Sequence, residues 1–127
     1  MKYLGIDYGK TKIGTAYSEG EIASAGETIR INGLQDALTK VIQIIEVQKV
    51  ETVVIGKPES GESLQYEQNF VAELKKQSDV GIVEVDETLS TQRARDLMLQ
   101  FNIPPRKRRQ EDAHSAALIL QEYLDNK

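Results

Sequence analysis

Tyr3-Leu4-Gly5-Ile6-Asp7-Tyr8-Gly9-Lys10-Thr11-Lys12-Ile13-Gly14-Thr15-Ala16-Tyr17-Ser18 reads as two short strands joined by a tight turn at Gly9-Lys10-Thr11. The first strand is apolar until it meets Asp7, and glycines follow at positions 9 and 14. An acid at the end of a buried strand, beside glycines that let a ligand approach the backbone, marks a site. A carboxylate left there without a partner costs on the order of several kcal/mol, so a cation, a phosphate-bound metal or a dense set of hydrogen bonds is implied.

Outward from this hairpin, residues 22–31 read as a third strand after the turn Glu19-Gly20-Glu21. Asn32 is placed to cap a helix over about 33–48, where Leu34, Leu38, Val41, Ile42 and Ile45 recur at helical spacing. Thr52-Val53-Val54-Ile55 is apolar enough for a central strand covered on both faces. A loop opened by Pro58 and Gly61 leads to a helix over 63–78 carrying Phe70, Val71 and Leu74. A fifth strand over 81–86 and helices near 90–101 and 111–125 finish the chain. Three meandering strands followed by alternating helices and strands predict a five-stranded mixed α/β sheet, three strands antiparallel and then two parallel, flanked by helices. Ligands of such sheets gather at strand carboxyl ends, where Asp7, Gly56-Lys57 and Glu87 all fall.

The 127 residues suit one domain over 1–127, with a net charge of −4 and a pI near 5.1. No cysteine is present, which removes disulfides and thiolate zinc sites and fits a reducing cytoplasm. No apolar stretch is long enough for a signal peptide or a membrane helix, so no membrane partner is expected. The acidic balance argues against a generally basic nucleic-acid coat, yet Arg106-Lys107-Arg108-Arg109 concentrates four positive charges after Pro104-Pro105.

Two further acids share the context of Asp7. Asp112 opens a helical segment whose Ser115, Ala116 and Ile119 give its face a small and then apolar character, pointing inward, while Glu111 beside it suits the helix dipole. Three alanines here let that helix approach the sheet closely. At the end of the fifth strand, spacing alone does not choose between Asp86 and Glu87. His114, the only histidine, projects away from Asp112 and reads as a surface or packing residue. Carboxylates are then the available metal ligands, which suits Mg²⁺ or Mn²⁺ and, with two ions, phosphoryl chemistry. The basic run, with Arg93 and Arg95 before it and Lys10, Lys12 and Lys57 near the strand ends, reads as a nucleic-acid backbone surface that binds and orients without reading bases.

Taken together, Asp7-Tyr8-Gly9-Lys10-Thr11-Lys12-Ile13-Gly14, Val54-Ile55-Gly56-Lys57-Pro58, Val85-Asp86-Glu87-Thr88-Leu89-Ser90-Thr91 and Asp112-Ala113-His114-Ser115-Ala116-Ala117-Leu118-Ile119-Leu120 resemble, in order and spacing, the motifs of the YqgF family, also called RuvX. The resemblance spans nearly the whole chain. It implies a ribonuclease H-like fold and a divalent-metal-dependent nuclease with Asp7, Glu87 and Asp112 as its acidic triad, and it selects Glu87 over Asp86. It further implies a cytoplasmic hydrolase that trims the 5′ end of precursor 16S ribosomal RNA, or a Holliday-junction resolvase acting on branched DNA. Apart from the resemblance, a homodimer is among the expected partners. The family commonly has arginine where Lys12 and Thr88 stand, and losing a planar fork weakens bidentate phosphate grip. Those two positions favour a rival, a nucleic-acid-binding or ribosome-assembly module with a weak acid cluster. The first motif also resembles the phosphate loop of actin-like and sugar-kinase ATPases, but a nucleotide cleft of that kind needs two domains.

Overall fold

The computed structural model describes residues 2–86 and 111–127, the side chains of Glu111 and Asp112 excepted. Its elements are β1 (Tyr3–Tyr8), β2 (Lys12–Ser18), β3 (Ser24–Arg30), α1 (Leu34–Gln48), β4 (Thr52–Lys57), α2 (Gly61–Gln77), β5 (Gly81–Asp86) and α3 (Glu111–Asn126). The strands form one sheet in the order β3-β2-β1-β4-β5. β1 pairs antiparallel with β2 and β2 with β3, whereas β1 pairs parallel with β4 and β4 with β5. This is the mixed sheet expected from the strand and helix pattern. The helix expected near 90–101 lies outside the described residues.

Alternation along each strand sends successive side chains to opposite faces, and here both faces are covered. Leu4, Ile6, Tyr8, Ile13, Val53 and Ile55 point to the face packed by α1 and α2, together with Leu38, Val41, Phe70 and Leu74. Tyr3, Ala16 and Val54 point to the other face, where Ala116, Ile119, Leu120 and Leu124 of α3 lie, with Val83 and Val85 packed against them.

α3 sits unusually close to the sheet because β1 carries no side chain at Gly5. A Cβ added there would lie 2.8 Å from Leu120 Cβ and 2.9 Å from the carbonyl oxygen of Ala116, inside contact distance for both. The helix is also pinned further along. Lys127 Nζ donates to the Tyr3 hydroxyl at 2.7 Å, and the Tyr3 and Tyr123 rings are 5.8 Å apart. Gln121 donates to the Glu21 carbonyl at 2.9 Å and accepts from the Ala23 N–H at 2.8 Å, tying α3 to the β2–β3 turn.

The start of α1 differs from the expected cap. Gly33, not Asn32, is the N-cap residue, with φ 91°, and no side chain caps it. Asp36 instead reaches back to accept from the Asn32 N–H at 2.7 Å and pairs with Lys40 at 3.0 Å, and these contacts hold its carboxyl below the usual range. A positive φ at Gly33 lets the chain turn from β3 into the helix, a geometry that a capping Asn followed by a larger residue resists.

One core residue departs from the apolar periodicity: Glu67 of α2 is fully buried. Gln68 Nε2 bridges Glu67 and Glu84 at 2.6 and 2.7 Å, while Glu67 Oε2 faces no donor among the described residues. Burial first, and then its hydrogen bond with Glu84, push the Glu67 carboxyl up to about 8; the same hydrogen bond holds Glu84 down. Between the ordinary carboxylate range and about 8, the folded chain therefore keeps a proton that the unfolded chain has released, so stability falls as pH rises through that window. The depressed Glu84 contributes the opposite slope only at more acid pH. The expected result is a lower melting temperature at pH 8.5 than at pH 6, with the difference much reduced in Glu67→Gln, which keeps the shape without the charge; thermal melts of both proteins at the two pH values check it.

Candidate active site

Asp7 stands one residue from the end of β1, half-buried, with Gly14 directly across on β2. On the other side β4 continues from Ile55, the partner of Ile6, into Gly56. Neither glycine places a side chain beside the carboxylate. Gly9 keeps the following turn tight: its N–H donates to the Lys12 carbonyl at 3.0 Å, and a Cβ on Gly9 would meet that oxygen at 2.8 Å.

The packing of α3 determines what Asp7 faces. Along β1 the contacts run Tyr3 to Tyr123 and Lys127, then Gly5 to Leu120 and Ala116, so strand and helix pass in opposite directions. Two strand residues advance about 6.6 Å and one helical turn about 5.4 Å. The next step along the strand, Asp7, therefore falls opposite the turn that begins α3, at positions 112 and 113. Ala113 and Ser115 are buried on this side, Ser115 Oγ has no hydrogen-bond partner among the described residues, and His114 is exposed as its spacing predicts.

Glu87 lies outside the described residues, as do Arg93, Arg106, Lys107, Arg108 and Arg109. Asp86 can still be placed. Val83 and Val85 face α3, so Glu84 and Asp86 face the other way, as the Gln68–Glu84 hydrogen bond from α2 requires. Asp86 is thus on the side of the sheet opposite Asp7. Among the described residues no three acidic or histidine side chains gather closely enough to hold a metal, a set that omits both Glu87 and the Asp112 carboxylate.

The lysines divide between the two faces. Lys12 alternates with the buried Ile13 and shares the side of Asp7. Lys57 is on the other side, where its charge acts on the Glu67–Glu84 pair, and Lys10 Nζ lies 5.9 Å above the ring of Tyr66 of α2. Sequence order alone does not separate them, since all three are near strand ends.

The sequence and the fold as a whole both have relatives. The family model described as "RuvX: Holliday junction resolvase" matches residues 1–126. The chain belongs to the RuvX family. A "Putative pre-16S rRNA nuclease" of Syntrophus aciditrophicus is 34% identical over 133 residues, covering 98% of this chain and 89% of the relative. A protein of the same description from Staphylococcus carnosus is 36% identical, with coverage of 98% and 96%. Among solved structures, Thermus thermophilus RuvC in complex with a Holliday junction substrate superposes with a TM-score of 0.67 over 99% of this chain and 96% of that one. At 16% identity that likeness concerns the fold alone. Membership of RuvX places the chain among nucleases.

Proposed function

We propose that this RuvX chain is a divalent-metal-dependent phosphodiesterase that processes the 5′ end of precursor 16S ribosomal RNA in the cytoplasm, its single domain acting through Asp7, Glu87 and Asp112. The observation that carries the reading is the approach of Asp7 to the first turn of α3, built by the Gly5–Ala116 contact. The description shared by the full-length relatives supports the RNA substrate. With no cysteine and an exposed histidine, the donors on offer are carboxylate oxygens, which fit Mg²⁺ or Mn²⁺.

Such an ion supplies charge stabilisation at the phosphate and an activated water. The chain's own part is positioning. The glycines beside Asp7 would let a phosphate approach the backbone, and Lys12 is on the same side of the sheet. The close seat of α3 fixes Asp112 relative to β1 through a rigid backbone contact rather than a flexible loop. Arg93 and the basic run would grip backbone phosphates, orienting the strand without selecting its sequence.

Cleavage of a precursor 16S leader RNA and of a four-way DNA junction, each with Mg²⁺ and with Mn²⁺, tests the reading. RNA cleavage lost in Asp7→Asn supports it. Preferential cutting of the junction would instead favour the resolvase named by the family model, and binding of either without metal-dependent cleavage would favour an assembly module. Replacing Arg106, Lys107, Arg108 and Arg109 with alanine is expected to weaken RNA binding across sequences and flatten its salt dependence, by about 0.7 in log-log slope for each phosphate of a single strand that is no longer neutralised. Binding isotherms at several salt concentrations measure this directly.

A further inference from the structure

A cleft of about 390 Å³ opens on the α1/α2 side of the sheet, lined by Tyr8, Lys10, Thr11, Asn32, Tyr66 and Asn69 among others. It begins one residue after Asp7. Tyr8 is the next position on β1 and, by alternation, points to the opposite face, and the turn carrying Lys10 and Thr11 forms the rim between the two. A strand of nucleic acid crossing the carboxyl edge of β1 would pass from one to the other.

We propose that this cleft receives an unpaired nucleobase of the substrate strand, one or two nucleotides from the phosphate held at Asp7. The inference rests on the nuclease reading above and adds to it a requirement for an unstacked base beside the cleavage position.

The lining matches that occupant. Tyr66 is half-buried and lines the cleft together with Lys10, whose ammonium lies over the Tyr66 ring at 5.9 Å, so the face turned to the cleft is one that a mobile lysine covers. A base stacking there would release Lys10 towards the neighbouring phosphate. The floor is rigid, because Tyr8 is buried and stacked on Phe70 with ring centres 4.5 Å apart. The amides at the edge provide both donors and acceptors for a base edge. The side chain of Asn32 makes no hydrogen bond among the described residues, its backbone N–H going to Asp36, and Asn69 holds only a long hydrogen bond, 3.3 Å, from Gln65. Aromatic walls with amide edges are the means by which proteins hold splayed single-stranded bases. The volume lies at the lower end of the range for small-ligand sites, as one base requires.

The test uses full-length Asp7→Asn protein, to prevent turnover, and precursor 16S leader RNAs carrying one abasic nucleotide at each position around the cleavage site. One abasic position is expected to weaken binding roughly ten-fold. Tyr66→Ala should weaken binding of the intact RNA by a similar factor and make that abasic change cost nothing further. Tyr66→Phe keeps the ring and loses only the hydroxyl bond to Glu62, 3.0 Å, so it should behave as the parent and separates stacking from a general effect on α2. If wild-type protein cleaves the RNA but no abasic position couples to Tyr66, the inference is overturned and the nuclease reading stands. If wild-type protein neither binds nor cleaves the RNA, both are overturned.

Discussion

Asp7→Asn is expected to lower cleavage by roughly a thousand-fold or more, a barrier increase of about 4 kcal/mol, while the melting temperature in the absence of metal holds or rises. The substitution keeps the shape of the side chain and removes one anionic oxygen donor. It also removes a charge that is desolvated by half-burial and held near the proposed position of Asp112, and groups arranged for a cation commonly lower stability when the cation is missing. Cleavage rates with Mg²⁺, alongside melts in a chelator, separate the two effects. A marked loss of stability with modest loss of cleavage would assign Asp7 to structural hydrogen bonding instead.

Gly5→Val is expected to reach a similar loss of activity by a different route. Its Cβ alone would sit 2.8 Å from Leu120 Cβ and 2.9 Å from the Ala116 carbonyl oxygen, and the second of these is backbone that cannot rotate away. α3 must lift from β1. Overpacking of this kind costs about 3 kcal/mol at the upper end of its usual range, a fall in melting temperature of roughly 10 °C. Because the same contact fixes how the first turn of α3 meets Asp7, cleavage should drop even at temperatures where the variant remains folded, and circular dichroism with activity on one sample distinguishes displacement from unfolding. An unchanged melting temperature would show that the helix yields without cost.

The sheet was legible because its signals are local. Thr52–Ile55 is apolar on both faces, the Gly9–Thr11 turn follows a strand, and the period in α1 changes to that of a helix. The inward face of α3 was readable too, from Ser115, Ala116 and Ile119, all of which are buried. Other features depend on which face a strand residue takes. Lys10, Lys12 and Lys57 look alike along the chain, but strand alternation places Lys57, and the contact with Tyr66 places Lys10, on the opposite side from Asp7. Buried Glu67 gave no warning, since its raised pKa comes first from burial by the tertiary fold and then from Glu84, a residue 17 positions away on another element. The tyrosine cleft is likewise an assembly of three separated segments, with no motif of its own.

Strand parity has one more consequence. Asp7 and Tyr8 are neighbours in sequence yet serve opposite sides of a wall one strand thick, so β1 works as a ruler graduated in single residues. Inserting or deleting one residue between Gly5 and Asp7 would exchange the two side chains, turning a carboxylate into the aromatic cleft and a phenol towards α3. Length changes in the Glu19–Glu21 turn would disturb its hydrogen bond with Gln121 of α3 but carry no such inversion for β1. The chain should therefore accept added residues there, while the five positions from Tyr3 to Asp7 accept none.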